Sequence, residues 1–159
     1  MTARIGLIAD THGLLRAEAV AALQGCDHVL HAGDIGAPDV LDTLAALAPL
    51  HAIRGNVDIA PWTNAVPATL TATVAGLRIH LVHSLADLSI DPAAERIDVV
   101  VSGHSHRPGI ETRDRVLFVN PGSAGRRRFS LPVTVAELLV DHRPGKARIT
   151  PRIIEIVPR

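Results

Sequence analysis

Residues 4–13 read Arg-Ile-Gly-Leu-Ile-Ala-Asp-Thr-His-Gly, an apolar run that stops abruptly on Asp10, Thr11 and His12. A compact apolar stretch with β-branched members predicts a buried strand. Asp10 and His12 stand two apart, so on an extended chain both would point to one side, with Gly13 letting the backbone turn behind them. A carboxylate and an imidazole so placed could grip one cation. Alone, the pair reads equally well as a helix cap and a solvated histidine.

The same pattern recurs along the chain. Asp27 to Ala32 runs into Gly33-Asp34, Leu50 to Arg54 into Gly55-Asn56, Leu77 to Val82 into His83, and Ile97 to Ser102 into Gly103-His104-Ser105-His106. Strands lie side by side, so their ends form one rim on which such groups can converge. Asp34 has two oxygens with which to bridge two cations, and it stands too early to cap the helix that begins near Pro38. Asn56 offers a neutral oxygen, although asparagine is also an ordinary turn residue. His104 and His106 repeat the same-side spacing where imidazoles gain little from packing. Ligand-type residues at five strand ends point jointly to a two-metal centre. His28, His51, His80 and His142 lack such partners and read as structural or surface groups, whereas His31 is placed to support Asp34.

Between these strands, Leu14 to Gln24 has the spacing of an amphipathic helix stopped by Gly25. Val40 to Leu47 continues a second helix from Pro38 to Pro49. The first third is therefore β-α-β-α-β, with parallel strands and right-handed crossovers. From Thr69 the pattern changes: Thr69 to Val74 and Leu77 to Val82 flank Ala75-Gly76, a hairpin turn. Val116 to Val119, Pro132 to Val140 and Ala147 to Val157 supply further strands. An antiparallel second half and two packed sheets are expected.

The 159 residues fit one domain, residues 1–159, and an apolar content of 47% is ample for its core. Lys plus Arg and Asp plus Glu balance at 16 each with no basic stripe, so stable nucleic-acid binding is not expected. The single cysteine, Cys26, excludes an internal disulfide and suits a reducing compartment. The chain enters its first strand directly after Met1, and no stretch reaches the roughly 18 apolar residues of a membrane span, so a cytoplasmic protein is expected. The only charge cluster is Arg126-Arg127-Arg128. Trp62 either seals a loop or marks an interface in a homo-oligomer.

In that order, Asp-x-His, Gly-Asn-x-Asp after Gly-Asp, a late His and Gly-His-Ser-His resemble the calcineurin-like metallophosphoesterases. Closest in pattern are their small, single-domain bacterial and archaeal phosphodiesterases. The likeness spans Ile5 to about Ser123 and includes Asn120-Pro121-Gly122-Ser123. It implies an α/β fold, a four-layer α/β/β/α sandwich of two mixed sheets flanked by helices. It also implies two divalent ions, manganese first and iron, nickel or zinc as alternatives. Asp10, His12, His106 and Asp34 would hold the first, and Asp34, Asn56, His83 and His104 the second.

The implied reaction is hydrolysis of a small phosphodiester by a hydroxide generated at the metals, with Asp34 and Asn56 catalytic, and Asn56 and Arg126 touching substrate. Two positions depart from the family pattern. Val57 stands where larger relatives carry a histidine that protonates the leaving group, so aryl and other good leaving groups should be favoured. His83-Ser84-Leu85 replaces the usual His-Gly and its further histidine. These departures keep two alternatives open: a metal-binding interaction scaffold of the same fold, as in a retromer subunit, and a phosphomonoesterase.

Overall fold

The run at residue 4 forms a strand covered on both faces: Ile5, Leu7, Ile8 and Ala9 are fully buried in the computed structural model, which describes residues 2–158. This strand, β1 (Thr2–Ile8), pairs in parallel with β2 (His28–His31), and β2 in parallel with β3 (Leu50–Ala52). The crossovers are α1 (Ala17–Leu23) and α2 (Pro38–Leu47). Each helix buries an i, i+4 pair, Ala19 with Leu23 and Val40 with Leu44, so the sequence spacing becomes the face laid on the sheet. Pro38 opens α2 where its missing N–H costs nothing.

The second sheet contains β4 (Thr69–Val74), β5 (Leu77–Val82), β6 (Val99–Val101), β7 (Gly109–Arg113) and β8 (Val116–Asn120), in the order β4-β5-β6-β8-β7. The β4–β5 hairpin turns at Ala75 and Gly76, whose φ angles of 51° and 78° suit a two-residue hairpin turn. The expectation of an antiparallel second half is corrected here: β5 with β6, and β6 with β8, are parallel. The chain has room for this because residues 83–98 and 102–115 supply the long connections that parallel neighbours require. Sequence periodicity gave no sign of β7, which is exposed throughout and pairs along one edge with β8.

β9 (Val133–Arg143) and β10 (Lys146–Val157) return to the first sheet as antiparallel neighbours, giving the order β10-β9-β1-β2-β3. Between the sheets lie Ile5, Leu7, Leu30, Leu77, Ile79, Leu81, Val99, Val101 and Leu138. A second cluster joins Ile8, Val29 and Ile35 to the buried faces of α1 and α2, with the half-buried Trp62 packed against it. The outer face of the second sheet is covered by Leu88 and Ile90, which pack on Val82, Val100 and Val116. The layers therefore follow the four-layer expectation. Where the sandwich was expected to carry helices on this side, the outermost layer is irregular chain, with a 3₁₀ turn at Leu85–Asp87 and a hydrogen-bonded turn over residues 92–96.

Parallel β1, β2 and β3 end on the same rim as β5 and β6. Backbone bonds brace that rim: Gly103 N–H donates to His83 O at 2.9 Å between the ends of β6 and β5, and Ala124 N–H, on the chain leaving the second sheet, donates to Ala9 O at 3.1 Å at the end of β1.

Candidate metal centre

The segments after β1 and β2 are zipped together. Asp10 N–H donates to Gly33 O at 3.0 Å, His12 N–H to Asp34 O at 2.9 Å and Gly13 N–H to Ile35 O at 2.8 Å. Asp10, His12, Asp34, His104 and His106 all have positive φ, between 47° and 71°. Left-handed backbone is uncommon outside glycine, and here it falls on the residues carrying the donor groups. The reason anticipated for the common orientation of Asp10 and His12 is corrected accordingly: the chain is no longer extended there, and left-handed backbone at Asp10 and His12, either side of Thr11, aims the side chains.

Each carboxylate divides its oxygens between backbone and cluster. Asp10 Oδ2 accepts the His104 N–H at 3.1 Å, and Asp34 Oδ1 accepts the Val57 N–H at 3.1 Å. Asp10 Oδ1 is left 3.9 Å from His12 Nε2, 3.9 Å from His83 Nε2 and 3.7 Å from His106 Nε2. Asp34 Oδ2 lies 3.2 Å from His83 Nε2 and 3.6 Å from His12 Nε2. Asp10 is wholly buried, and Asp34, His106 and His83 nearly so. Donor atoms of Asp10, His12 and His106, and of Asp10, Asp34 and His83, lie within 4.8 Å of one another in each set.

The ring of His83 is oriented by its other nitrogen, which meets Ala32 O at 2.8 Å. A carbonyl only accepts, so Nδ1 carries the proton, and in the neutral ring Nε2 turns a lone pair toward the carboxylates. Gly33 makes this approach possible: at φ 102°, a Cβ there would stand 2.6 Å from His83 Nδ1. Asp10 Oδ1, His12 Nε2 and His83 Nε2 are buried without hydrogen-bond partners. Acceptors gathered without donors are stabilised by a positive charge among them, and nitrogen with oxygen donors suits a divalent cation. The residues therefore fit the metal the sequence pattern calls for.

Charge states agree with that fit. Burial pushes the Asp10 carboxyl up to about 7 against the opposing pull of His83. Burial acts likewise on Asp34, but the close imidazole of His83 and the hydrogen bond from the Val57 N–H prevail and hold it below its ordinary value. Burial pulls His83 down, while the nearby Asp34 carboxylate and its bond to the Ala32 carbonyl prevail and raise it. His12 is lowered chiefly by burial, and His106 is lowered to about 4 by burial and then by the charge of Arg128. A cation entering would displace the protons shared around Asp10 and His83.

Asn56 and His104 are exposed at the edge of this cluster. They share a cavity of about 530 Å³ with His83, Arg54 and Asp87. The His104 ring lies edge-on to that of His83, centroids 5.3 Å apart. Ser84 and His104 also line a neighbouring cavity of about 380 Å³ with Leu85, Arg107, Ile110 and Phe118, so two lobes flank one rim. Val57 is exposed beside the site and Arg126 points to solvent.

Of three supporting residues, Asp58 and Thr11 carry more than the sequence suggested, and His31 does what its position suggested. Buried Asp58 accepts N–H groups of Ile35 at 3.0 Å and Gly55 at 2.8 Å on Oδ2, and of Gly36 at 2.9 Å on Oδ1. It thereby clamps the loop bearing Asp34 to the loop bearing Asn56. The signal was available: an aspartate three residues after Gly55 is placed to accept that glycine's N–H. His31 Nδ1 accepts the Gly33 N–H at 3.1 Å, which puts the proton on Nε2, 3.0 Å from Thr11 Oγ1. Thr11 in turn donates to Ile35 O at 2.8 Å. His31 is therefore the support for the Asp34 turn that its position suggested, and Thr11, buried between two ligand candidates, is its partner.

Residues 3–143 match the calcineurin-like phosphoesterase superfamily domain. A probable metallophosphoesterase of Methanothermobacter thermautotrophicus is 32% identical, covering 91% of this chain and 90% of its own. Among solved structures, an archaeal phosphodiesterase superposes with a TM-score of 0.67 at 22% identity, over 94% of this chain and 99% of the other. Vacuolar Protein Sorting 29 of Cryptosporidium parvum superposes with a TM-score of 0.74 at 19% identity, over 97% and 98%.

Proposed function

This chain belongs to the calcineurin-like phosphoesterase superfamily, and we propose that it is a dinuclear metal-dependent phosphodiesterase acting on small phosphodiesters. The carrying observation is the pair of buried carboxylate oxygens, Asp10 Oδ1 and Asp34 Oδ2, facing three imidazole Nε2 atoms. In this reading Asp10, His12, His106 and Asp34 hold one cation, and Asp34, Asn56, His83 and His104 the other. Manganese is the first candidate, with iron, nickel or zinc as alternatives. When bound, such ions polarise phosphoryl oxygens and supply a nucleophile near neutral pH.

The chain's own residues do the rest. The Ala32 carbonyl and Gly33 hold His83 in one tautomer and one orientation. Asp58 keeps the Asp34 and Asn56 loops in register. Asn56, exposed at the cavity mouth, could donate its amide N–H to a phosphoryl oxygen, and Arg126 is an exposed source of positive charge for the substrate phosphate. The two lobes either side of Ser84 and His104 leave space for a substituent on each side of a phosphoryl group, which favours a diester. Val57, with no proton to give, leaves departure to the substituent itself, so aryl esters should exceed alkyl esters. The protein works as one domain, residues 1–159, in the cytoplasm.

Chelator-stripped protein given manganese should cleave bis-p-nitrophenyl phosphate faster than the monoester. In Asp34→Asn, turnover should fall on the order of a hundredfold or more with the fold retained, because an amide cannot replace a carboxylate's charge between two cations. Unchanged turnover in that variant would remove the bridging role. Faster cleavage of the monoester would make the enzyme a phosphomonoesterase.

A second reading, a metal-binding interaction scaffold, is favoured by Val57 and Leu85, whose 45% and 40% exposure puts apolar surface around the cleft. It predicts intact diesters with metal bound, and a protein partner retained by Asp34→Asn.

A further inference from the structure

The arginine run leaves directly from the backbone of the metal centre. Ser123 Oγ donates to Asp10 O at 3.1 Å, and Arg16 Nε to Gly125 O at 2.9 Å. A Cβ on Gly125 would come within 2.4 Å of Thr11 O, so the segment lies flat against the loop of Asp10 and His12. Its far end closes on its start, with Val133 bridged to Ser123 and Thr134 N–H donating to Ser123 O at 3.0 Å. Residues 124–132 thus form a closed excursion whose base is anchored beside the cluster.

Within it the three arginines have different fates. Arg127 is held by backbone, donating to Leu131 O at 3.2 Å and Pro158 O at 2.9 Å. Arg126 is exposed. Arg128 is exposed, three residues beyond the Gly125 contact with the Asp10 and His12 loop, and among the described residues its guanidinium makes no hydrogen bond or ion pair.

Leu131 N–H donates to Arg128 O at 3.1 Å, closing a turn that places Phe129 next in line, 93% exposed and at φ 54°. A bulky residue on left-handed backbone is an outlier, and an aromatic ring in water gains nothing for the fold. The chain has only one Trp, two Phe and no Tyr, so one of its three large aromatic rings is spent where stability does not want it. Strain and exposure combined on a loop whose base is anchored against the metal centre are the marks of a recognition element.

We infer that Arg128 and Phe129 are the recognition tip of the site, Arg128 taking phosphoryl oxygens and Phe129 stacking on a planar ring of the ester group. The favoured substrate class is then an aryl or nucleoside phosphodiester. The guanidinium fork matches two oxygens of a phosphoryl group, and a free aromatic face accepts any flat ring. This rests on the proposed phosphodiesterase reading, so the test must separate the two.

Phenylphosphonate and methylphosphonate, whose P–C bonds resist hydrolysis, differ by the ring alone. Calorimetric titration into manganese-loaded protein should show the phenyl compound binding about fivefold tighter. Phe129→Ala should abolish that preference while leaving methylphosphonate affinity unchanged. Arg128→Met should weaken both about tenfold, with Arg128→Lys between. Since both side chains are exposed, unfolding midpoints should match the parent. A phenyl preference that survives Phe129→Ala, or methylphosphonate bound equally by Arg128→Met, overturns the inference. Hydrolysis of bis-p-nitrophenyl phosphate by the parent protein is measured alongside. Ring preference without hydrolysis upholds the tip and refutes the phosphodiesterase reading, whereas hydrolysis without ring preference refutes the tip alone.

Discussion

Asp58→Asn changes one atom and should cost more than most surface substitutions remove. Asp58 is only 4% exposed, and its carboxylate accepts three backbone N–H groups at 2.8–3.0 Å. Asparagine can keep the two bonds from Ile35 and Gly55 on its oxygen, but its NH₂ then faces the Gly36 N–H, donor against donor. Losing one bond to a charged acceptor and leaving a buried donor unmatched removes about 1.5–3 kcal/mol, and the two surviving bonds lose their ionic assistance. The expected loss is about 3 kcal/mol of unfolding free energy in chelator near neutral pH. The slackened loops should also lower manganese affinity about 10–100-fold. Urea unfolding followed by calorimetric titration of manganese measures both. A variant within about 0.5 kcal/mol of the parent would refute the clamp outright. A stability loss with unchanged affinity would confine Asp58 to the fold.

His31 is fully buried and neutral, its pKa lowered to about 4 by burial from the ordinary 6.5. Below pH 6.5 the unfolded chain takes up a proton that the folded one refuses, so stability falls as pH falls toward 4. Relative to His31→Asn, which retains an acceptor for the Gly33 N–H, the parent should lose about 3 kcal/mol across that window in chelator. Parallel stability curves would sink the assignment. Gly33→Ala places a methyl 2.6 Å from His83 Nδ1 at φ 102°, and should lower manganese affinity and cost about 1–2 kcal/mol. Unchanged affinity, measured by the same titration, would show that His83 tolerates displacement. Arg4 pairs with buried Glu137 at 2.5 Å and donates to Ala22 O and Gln24 O, so Arg4→Ala should destabilise by about 3 kcal/mol while metal affinity holds. A loss under 1 kcal/mol in urea unfolding would mean that Arg152, 2.8 Å from the same carboxylate, is sufficient alone.

Much of the fold was legible from short-range pattern. The hairpin at Ala75-Gly76 was bounded to the residue, because alternation and a turn dipeptide act locally. The parallel β1-β2-β3 unit followed from strand and helix periods in succession. β7 was not legible, since an exposed edge strand has no buried face to impose a period. The parallel pairing of β5, β6 and β8 was missed for a different reason: which strands become neighbours depends on where long connections return, and no local pattern encodes that.

The site divides the same way. The kinds of group present, carboxylate, imidazole and amide after apolar runs, are properties of the chain itself, and so is their place at strand ends. Their aim was decided in three dimensions. Left-handed backbone at Asp10, His12, Asp34, His104 and His106 became tolerable only because hydrogen bonds from neighbouring strands hold the loops. The tautomer of His83 depends on a carbonyl 51 positions away, and the shared grip of Asp58 joins loops more than 20 positions apart. Within the arginine run, composition treats three residues alike, and only folding commits Arg127 to backbone and leaves the Arg128 guanidinium unpaired among the described residues. The sequence by itself determined which atoms are available as donors, because that is covalent chemistry. Tertiary structure decided which of them face one another, because direction at a site is set by contacts between segments distant along the chain.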